Sequence, residues 1–376
     1  MKLVLQVWNL AAAIGLFVFL QSRMERISDK RLSNILVAFA TAGILSFGLT
    51  IAFYEIYPAG LRATLSAWEL TYSIGVVGLV EEGAKFLAFM FAVRAGETIR
   101  EPQDGVIQAA AVGITFGAIE NIFYIFAYDG FFMWLRPILT TGGHGVYAAI
   151  WGALYARSVY ANSVGIDPGA RRGAALGVPL VAILHGLYNA ATAFYPAALA
   201  LDVIALIIAI GLFRKLVELS PYRIYPLEKA SQAIPSIRRG LAFNPRSPVL
   251  NRNIGIYLMH LGRYRAASRH LRASVPRSRD PRRAQFLAAA CEQSFLPSFF
   301  ARRAIRIAWS RLDDRQRQTY WNQLVRLVGD ESEIVSAVTA FIESAFQPRR
   351  YRNTRDIARA SRIRRAERRH WSRSTS

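Results

Sequence analysis

The sequence contains very little cysteine: Cys291 is the only one in 376 residues. A single thiol excludes an intramolecular disulfide and any zinc site built from cysteines. We therefore interpret Cys291 as a small buried apolar residue. The HExxH motif of many zinc-dependent hydrolases is also missing, and the first 216 residues show no convincing internal repeat of the kind found in many transporters. Carboxylates are scarce, with 25 Asp and Glu against 47 Lys and Arg.

Long apolar runs are abundant, but only in the first half of the chain. Hydrophobic residues make up 53% of the sequence, and a spanning helix needs about 20 mostly apolar residues. The first run follows Lys2 and could be a signal peptide, but it is long for one, so we interpret it as a helix. The sequence predicts an all-α fold, a polytopic membrane helix bundle of about seven transmembrane helices. The predicted spans are 3–20, 34–56, 72–93, 106–128, 138–157, 174–194 and 199–214.

The basic residues of the short loops predict the orientation of this bundle. The first loop carries four of them between Arg23 and Arg31, and the third and fifth loops carry two and three. The second and fourth loops offer only Arg62 and Arg136, and the sixth offers none. Because cytoplasmic loops are enriched in Lys and Arg, we expect the N-terminus outside the cell membrane and everything from Arg214 onward in the cytoplasm.

Residues 217–346 have helical spacing of another kind. The stretch from Asn253 to Ser274 resembles one tetratricopeptide unit, a helix–turn–helix repeat, and Asn244-Pro245 would end the helix before it. A weaker second pair covers 281–308. We predict a cytoplasmic α-helical, TPR-like domain that docks a cytoplasmic protein, with a generic helical hairpin as the alternative. The repeat positions are Gly255, Leu258, Leu261, Gly262, Tyr264, Ala267 and Leu271.

The last segment, 347–376, is a basic tail with eleven Arg against one Asp and one Glu. It has almost no core-forming residues, so we expect disorder. On the cytoplasmic side it would be attracted to anionic lipid headgroups. Nucleic acid also attracts positive charge, but no aromatic platform or recognised fold supports that partner. An anionic lipid surface is the favoured one.

Four of the predicted spans contain polar side chains that are expensive in a bilayer. Each charge costs about 2.5–3.5 kcal/mol or more at its centre. Counting about 1.5 Å per residue along each span places five of them roughly 9–15 Å below the outer surface, namely Glu81, Glu82, Glu120, His144 and His185. The centres of the first, second and seventh spans carry little of this kind. We therefore predict one shared polar site, formed by Glu81, Glu82, Lys85, Glu120, Asn121, His144, His185 and Asn189.

The residue types of this site suit the activation of water. The spacing lets Lys85 pair with Glu81 or Glu82 as a counter-ion, and Asn121 and Asn189 could serve only as interhelical hydrogen bonds. A carboxylate shielded from water can act as general base and then as acid. Alternatively, His144, His185 and Glu120 could hold Zn²⁺, which acidifies bound water. An ion-coupled transporter would also place ionisable groups at this depth.

The four motifs resemble those of a known family. EEGAK (81–85), FGAIE (116–120), His144 and HGLYN (185–189) are similar to the EExxK, FxxxE, H and HxxxN/D motifs of the PrsW family of intramembrane proteases. That family is similar to the CAAX-processing and bacteriocin-processing membrane proteases. The resemblance covers about residues 34–215, with the motifs in family order on successive spans.

The resemblance implies an intramembrane endopeptidase that cleaves a membrane-anchored, anti-sigma-factor-like protein. Glu81 and Glu82 would be catalytic or metal-binding, and Glu120, His144 and His185 would complete the site. Lys85, Phe116, Asn121 and Asn189 would support it, and Asn189 stands where relatives have Asn or Asp. Whether the enzyme is a metalloprotease or a metal-free glutamate protease stays open.

The predicted domains are therefore a transmembrane protease domain (1–216), the TPR-like region (217–346) and the tail (347–376). A non-catalytic scaffold or signalling protein on a degenerate protease fold is the alternative of another class.

Overall fold

The computed structural model of the chain describes residues 1–25, 32–56, 71–96, 99, 101–163, 170–191, 195–278, 280–296 and 298–346. These residues form helices and turns, and none of them lies in a β-strand. The predicted all-α fold class is confirmed for this part of the chain. The predicted basic tail at 347–376 lies outside the described residues.

Each predicted span coincides with a long helix. The third helix is preceded by a π-helical stretch, Ser73–Gly78, which is continuous with it. The helices are α1 (Lys2–Glu25), α2 (Leu32–Ile56), α3 (Leu79–Gly96), α4 (Pro102–Ala127), α5 (Phe132–Ser163), α6 (Ala170–Ala191) and α7 (Tyr195–Leu219).

Three of these helices are long and apolar enough to cross a membrane, judged over the described residues. They contain the stretches Lys2–Leu20, Val37–Ile56 and Pro102–Ala127, and α6 has a shorter apolar stretch, Ala175–Ala191. Large apolar side chains of α1, such as Leu3 and Val7, are exposed, as expected of a helix that faces lipid. These helices make the chain a membrane protein, while the number of seven spans stays a prediction.

The two ends of α4 contact opposite ends of the chain's first half. Near its last turn, Phe126 accepts a hydrogen bond at 2.7 Å through its carbonyl oxygen from Lys2 Nζ, at the start of α1. Just before its first turn, Glu101 Oε2 accepts a 2.6 Å hydrogen bond from Ser220 Oγ, which follows α7. The start of α1 and the end of α7 therefore lie at opposite ends of the bundle. This is the arrangement expected when the chain crosses the bundle an odd number of times. Which end faces the cytoplasm stays a prediction.

An aromatic cluster packs next to the polar residues inside the bundle. The Phe89 ring centroid lies 5.2 Å from that of Trp151 and 5.6 Å from that of Phe39. Phe86 meets Trp151 edge to face at 5.4 Å. This packing joins α2, α3 and α5, and it fixes the orientation of Trp151, whose indole N–H reaches the site.

The rest of the described chain forms seven shorter helices. By packing, residues 235–250 belong with residues 1–225, whereas residues 226–234 belong with the chain from Asn251 onward. We call these the first and second units. The helices are α8 (Ala230–Phe243), α9 (Pro248–His260), α10 (Tyr264–Ser274), α11 (Pro281–Glu292), α12 (Ser298–Ser310), α13 (Asp314–Val328) and α14 (Glu333–Phe346).

A tight hairpin joins α9 and α10 where the sequence predicts a helix–turn–helix. Gly262 lies in the turn with φ +72°, a left-handed conformation that favours glycine. Gly255 lies against Leu271, whose Cγ would be only 2.7 Å from an added Cβ. The helices α11 and α12 occupy the region of the predicted second pair, and membership of the tetratricopeptide repeats stays a prediction.

Candidate active site

The polar side chains predicted to share one site come together inside the first unit. Glu82 and Lys85 are fully buried, His144 and His185 are each 2% exposed, and Glu81 is 6% exposed. Burial of so many ionisable groups requires close pairing, because each isolated charge would be strongly destabilising. The helix α3 supplies Glu81, Glu82 and Lys85, α4 supplies Phe116 and Glu120, α5 supplies His144, and α6 supplies His185.

Glycines allow the helices to approach closely at this level. A Cβ on Gly186 would lie 2.4 Å from Ile74 Cα and 2.5 Å from the Ser73 carbonyl oxygen, so α6 touches the π-helical stretch through backbone alone. Gly117 gives similar room on α4, where a Cβ would lie 2.7 Å from His144 Cδ2. Such contacts are typical of membrane helix interfaces. They bring His185 and His144 within reach of the α3 carboxylates.

Lys85 occupies the centre of the cluster. Its Nζ lies 2.7 Å from Glu82 Oε1 and 2.8 Å from His144 Nδ1. It also stands 4.1 Å from the Phe116 ring centroid, a cation–π distance. Glu81 Oε2 is farther away, at 3.7 Å. Lys85 is therefore the counter-ion of Glu82 more than of Glu81.

Both carboxylate oxygens of Glu82 are engaged. Oε1 is 2.9 Å from His185 Nδ1 and also receives the Lys85 bond, while Oε2 accepts a 3.0 Å hydrogen bond from Trp151 Nε1. A buried carboxylate with three donors is held in one position. Glu82 is thus suited to positioning its neighbours.

Glu120 lies at the more exposed edge of the site. Its Oε2 is 3.0 Å from His144 Nε2 and 3.2 Å from Arg136 Nη2. The Arg136 guanidinium covers the Tyr124 ring at 3.5 Å. The side chains of Glu120 and Arg136 are 18% and 17% exposed, so this pair lies where the cluster opens.

The partners of the two histidines define their neutral tautomers. The Lys85 ammonium can only donate, so His144 Nδ1 accepts and its Nε2–H donates to Glu120. The Glu82 carboxylate can only accept, so the neutral His185 ring donates its Nδ1–H to Glu82 Oε1. His185 Nε2 is then an acceptor, and it faces Glu81 Oε2 at 3.7 Å.

Glu81 differs from the other carboxylates because its Oε2 is buried and accepts no hydrogen bond from the described residues. The other oxygen, Oε1, accepts one long bond of 3.4 Å from the Tyr54 hydroxyl. Two acceptor atoms therefore face each other, Glu81 Oε2 and His185 Nε2, with no protein hydrogen between them. Such a gap suits a group that brings protons or positive charge, namely a water molecule or a metal ion.

A second histidine contact comes from α5 and α7. The Tyr147 ring stacks on His185 with a centroid distance of 5.3 Å and an interplanar angle of 13°. The Tyr147 hydroxyl donates to Asp202 Oδ1 at 3.1 Å. This chain of contacts holds the His185 ring in the plane that directs Nε2 toward Glu81.

Three residues among those described could together hold a metal ion. Glu81, His144 and His185 each offer one ligand atom, and these atoms lie within 4.8 Å of one another. Two imidazoles and a carboxylate are a common catalytic zinc donor set, so the residues fit the ion chemically. The sequence analysis offers Glu120, Glu81 and Glu82 as candidate metal-binding carboxylates. In the structure Glu81 lies with both histidines, whereas Glu120 Oε2 bonds His144 Nε2.

Comparison with known proteins identifies a family for the part of the chain that contains this site. Residues 31–214 match the model of the PrsW family intramembrane metalloproteases. Residues 31–214 form a PrsW family domain. The match includes every residue of the cluster, and no solved structure matches the chain.

Individual relatives of the PrsW domain are modestly similar. Protease PrsW of Shouchella clausii is 31% identical over 113 residues, covering 30% of this chain and 50% of that protein. Protease PrsW of Geobacillus kaustophilus is 26% identical over 130 residues, covering 35% and 56%. Protease PrsW of Oceanobacillus iheyensis is 26% identical over 113 residues, covering 30% and 50%. The chain spans about half the length of the curated relatives it matches.

The supporting residues predicted from the PrsW motifs have different surroundings. Asn121 is buried and donates to Thr141 Oγ1 at 2.9 Å and to Asn9 Oδ1 at 3.3 Å, so it ties α4 to α5 and α1. Asn189 lies one turn after His185 and is half-buried. Phe116 packs against both Lys85 and His144.

Sequence reasoning missed several contributors to the site. Trp151 has the sequence pattern of an ordinary core aromatic, and Arg136 has that of a loop charge. Asn9, Tyr54 and Asp202 belong to the first, second and seventh spans, whose centres carry little polarity. The one available signal was chemical: Asp202 and Asn9 are polar residues in otherwise apolar runs.

Proposed function

We propose that the PrsW domain is an intramembrane endopeptidase that hydrolyses a peptide bond of a membrane-anchored protein, with Glu81 as the group that activates water. One observation carries this proposal: Glu81 Oε2 and His185 Nε2, both acceptors, face each other at 3.7 Å. A water molecule can donate one hydrogen to each of them. Its oxygen would then be polarised by a carboxylate and an imidazole together.

The proposed reaction uses Glu81 as base and then as acid. Glu81 takes a proton from the water as the water oxygen attacks the substrate carbonyl carbon. It returns that proton to the amine nitrogen as the peptide bond breaks. Glu82 stays an anion, because Lys85 and Trp151 hold it, and it keeps His185 in the required tautomer.

The charge that develops on the substrate carbonyl oxygen needs a donor. We assign this role to Arg136, which lies at the open edge of the site beside Glu120. Arg136 Nε is a buried N–H donor with no acceptor among the described residues. It is therefore available to an oxyanion in a way that the engaged nitrogens of His144 are not.

A zinc ion is the alternative way to activate the same water. Glu81, His144 and His185 would hold it, and zinc would acidify a bound water and polarise the carbonyl. Binding would require His144 to give up one bond, because Lys85 and Glu120 engage its two ring nitrogens. Metal analysis of the purified protein separates the two routes, since Glu81→Gln and His185→Gln would lower a real zinc content and leave a contaminant unchanged.

The predicted topology indicates on which side of the membrane the substrate is cleaved. With about seven spans and the N-terminus outside, the site lies in the outer half of the membrane. A single-pass protein cleaved near its extracytoplasmic end, such as an anti-sigma factor, fits this depth. The second unit would lie in the cytoplasm, where its TPR-like helices could dock a cytoplasmic partner.

A comparison of membrane proteomes tests the proposal. Cells that produce the wild-type chain are compared with cells that produce Glu81→Gln, His185→Gln or the control Glu55→Gln, which changes an exposed carboxylate of α2. We expect a single-pass protein to accumulate uncleaved with the first two variants and not with the control. Identical proteomes, with all variants present in the membrane, would contradict a protease and leave the scaffold alternative.

A further inference from the structure

The helix α12 buries one apolar face and also exposes large apolar side chains on the opposite side. A helix turns by about 100° per residue, so Ala301, Ile305, Ala308 and Trp309 fall within one arc. All four side chains are buried, and this arc packs into the second unit. An amphipathic helix of a soluble domain would be polar on the remaining surface.

The remaining surface of α12 is not simply polar. Phe299 is 68% exposed, Phe300 is 57% exposed, and Ile307 is 42% exposed. The two phenylalanine rings contact each other edge to face, with centroids 5.4 Å apart. Isolated exposed apolar residues are common, but an exposed aromatic pair with a third large apolar side chain two turns farther along the same face marks an interaction surface.

Positive charge surrounds this apolar surface. Arg302, Arg303 and Arg306 are all exposed, and the helical turn places them and the three exposed apolar side chains within one arc of about 160°. The sequence of α12, SFFARRAIRIAWS, contains no carboxylate. We call the six residues Phe299, Phe300, Arg302, Arg303, Arg306 and Ile307 the α12 outer face.

We propose that the α12 outer face docks the second unit on an anionic phospholipid bilayer. Aromatic and aliphatic side chains would enter the boundary between headgroups and acyl chains, as in other interfacial helices. The three guanidinium groups would pair with headgroup phosphates, which accept the paired N–H donors of arginine. Because every charge on this face is positive, it complements an anionic surface.

A lipid surface is favoured over a protein partner because the same chain lies in a bilayer. The apolar helices α1, α2 and α4 anchor the first unit, so the second unit is never far from headgroups. Tethering raises the effective concentration of the surface. A weak interfacial helix is therefore sufficient, and each arginine needs to contribute only about a fivefold preference for anionic lipid.

A nitroxide on the α12 outer face can test this in the full-length chain. Ile307→Cys provides the attachment site. The native Cys291 is fully buried, and burial raises the pKa of its thiol to about 12, so it reacts slowly with a thiol reagent. The labelled protein is placed in lipid nanodiscs of phosphatidylcholine alone or of phosphatidylcholine mixed with phosphatidylglycerol. Power-saturation EPR then measures collisions with oxygen, which enters the bilayer, and with a water-soluble nickel complex.

We expect more oxygen collisions and fewer nickel collisions in the anionic nanodiscs than in the neutral ones. Reversing Arg302, Arg303 and Arg306 to Glu should return both values to those of the neutral discs, as should Phe299→Ser with Phe300→Ser. The matched control reverses three exposed arginines of the α9–α10 hairpin, Arg263, Arg265 and Arg269, and should keep the docked signal. Slow Cys291 labelling verifies in each variant that the second unit is folded.

Three outcomes would overturn the proposal. The first is a label equally open to the nickel complex in both lipids. The second is a docked signal lost to the same degree with the control triplet, which would indicate only a general charge effect. The third is a label shielded from both collision agents regardless of lipid, which would mean that a protein surface covers α12.

Discussion

The first unit buries Glu81 in a different way from that in which the second unit buries Glu292. In the second unit, Glu292 is 3% exposed and both of its oxygens have donors: Ser268 Oγ lies 2.8 Å from Oε1, Arg272 Nη2 lies 2.6 Å from Oε2, and Arg272 Nε also bonds Oε1. In the first unit, Glu82 is satisfied in the same manner. Glu81 is its immediate neighbour in sequence, yet its Oε2 accepts no bond from the described residues.

This difference separates a structural carboxylate from a reactive one. A buried charge that is fully paired rigidifies its surroundings, whereas a buried acceptor without a donor is destabilising unless a ligand or water completes it. Glu292 and Glu82 belong to the first kind, and Glu81 belongs to the second. Substitution of Glu81 is therefore expected to abolish activity and to leave the fold intact. Substitution of Glu82, Glu292 or their partners is expected to destabilise the fold.

The largest effect is expected from removing the central cation of the site. Lys85→Met leaves Glu82 buried without its counter-ion, and breaking a buried pair costs about 3–5 kcal/mol. We expect little folded protein in the membrane, measured by thermal unfolding in detergent and by yield. The double variant Lys85→Met/Glu82→Gln removes both charges and should recover part of the stability. Lys215→Met, an exposed control on α7, should change nothing, and equal stability of Lys85→Met would contradict this pairing.

The next effect concerns the close approach of α6. Gly186→Ala places a Cβ 2.4 Å from Ile74 Cα, and overpacking of this kind costs about 1–3 kcal/mol. The displacement of α6 would also move His185 from Glu81, so both melting temperature and cleavage should fall. The matched control is Gly83→Ala on α3, where a Cβ would meet nothing within 4 Å. Equal behaviour of the two alanine variants would show that the contact between α6 and the π-helical stretch is not close.

Glu292→Gln should weaken the second unit by about 1–3 kcal/mol, since it replaces a charged hydrogen-bond acceptor by an amide. The labelling rate of Cys291, one residue away and fully buried, reports the opening of this core. We expect faster labelling and an unchanged cleavage rate per folded molecule. A lost cleavage activity with normal labelling would remove the distinction between the two carboxylates.

The smallest effect is expected at Tyr147. Tyr147→Phe keeps the ring stacked on His185 and removes only the 3.1 Å bond to Asp202, which is worth about 0.5–1.5 kcal/mol. Cleavage should slow only severalfold in a single-turnover assay. Tyr147→Ala should slow it much more, because the stacking is lost too. Identical rates for Phe and Ala would mean that stacking does not orient His185.

Much of this arrangement could be predicted from the sequence because charge inside an apolar run is a strong signal. The runs predicted seven helices at the observed places, and the depth count predicted that Glu81, Glu120, His144 and His185 would meet. Both depend on length and hydropathy, which are properties of the chain alone.

Which of the candidate carboxylates lies with both histidines could not be predicted, because it depends on how α3 and α4 are rotated about their axes. The π-helical stretch before α3 sets part of that rotation, and SIGVVG has no sequence signature that separates it from an α-helix. Trp151 is a similar case. Its indole N–H meets Glu82 only because Phe86 and Phe89 fix the ring.

The central claim is that the open acceptor of Glu81 holds the reacting water while Glu82 holds the site. Purified wild-type chain, Glu81→Gln and Glu55→Gln are compared in liposomes with the single-pass substrate recovered from the proteome comparison. We predict that Glu81→Gln melts as the wild type does and cleaves at least about 100-fold more slowly, with Glu55→Gln unchanged. A folded Glu81→Gln variant that cleaves at the wild-type rate would contradict the account.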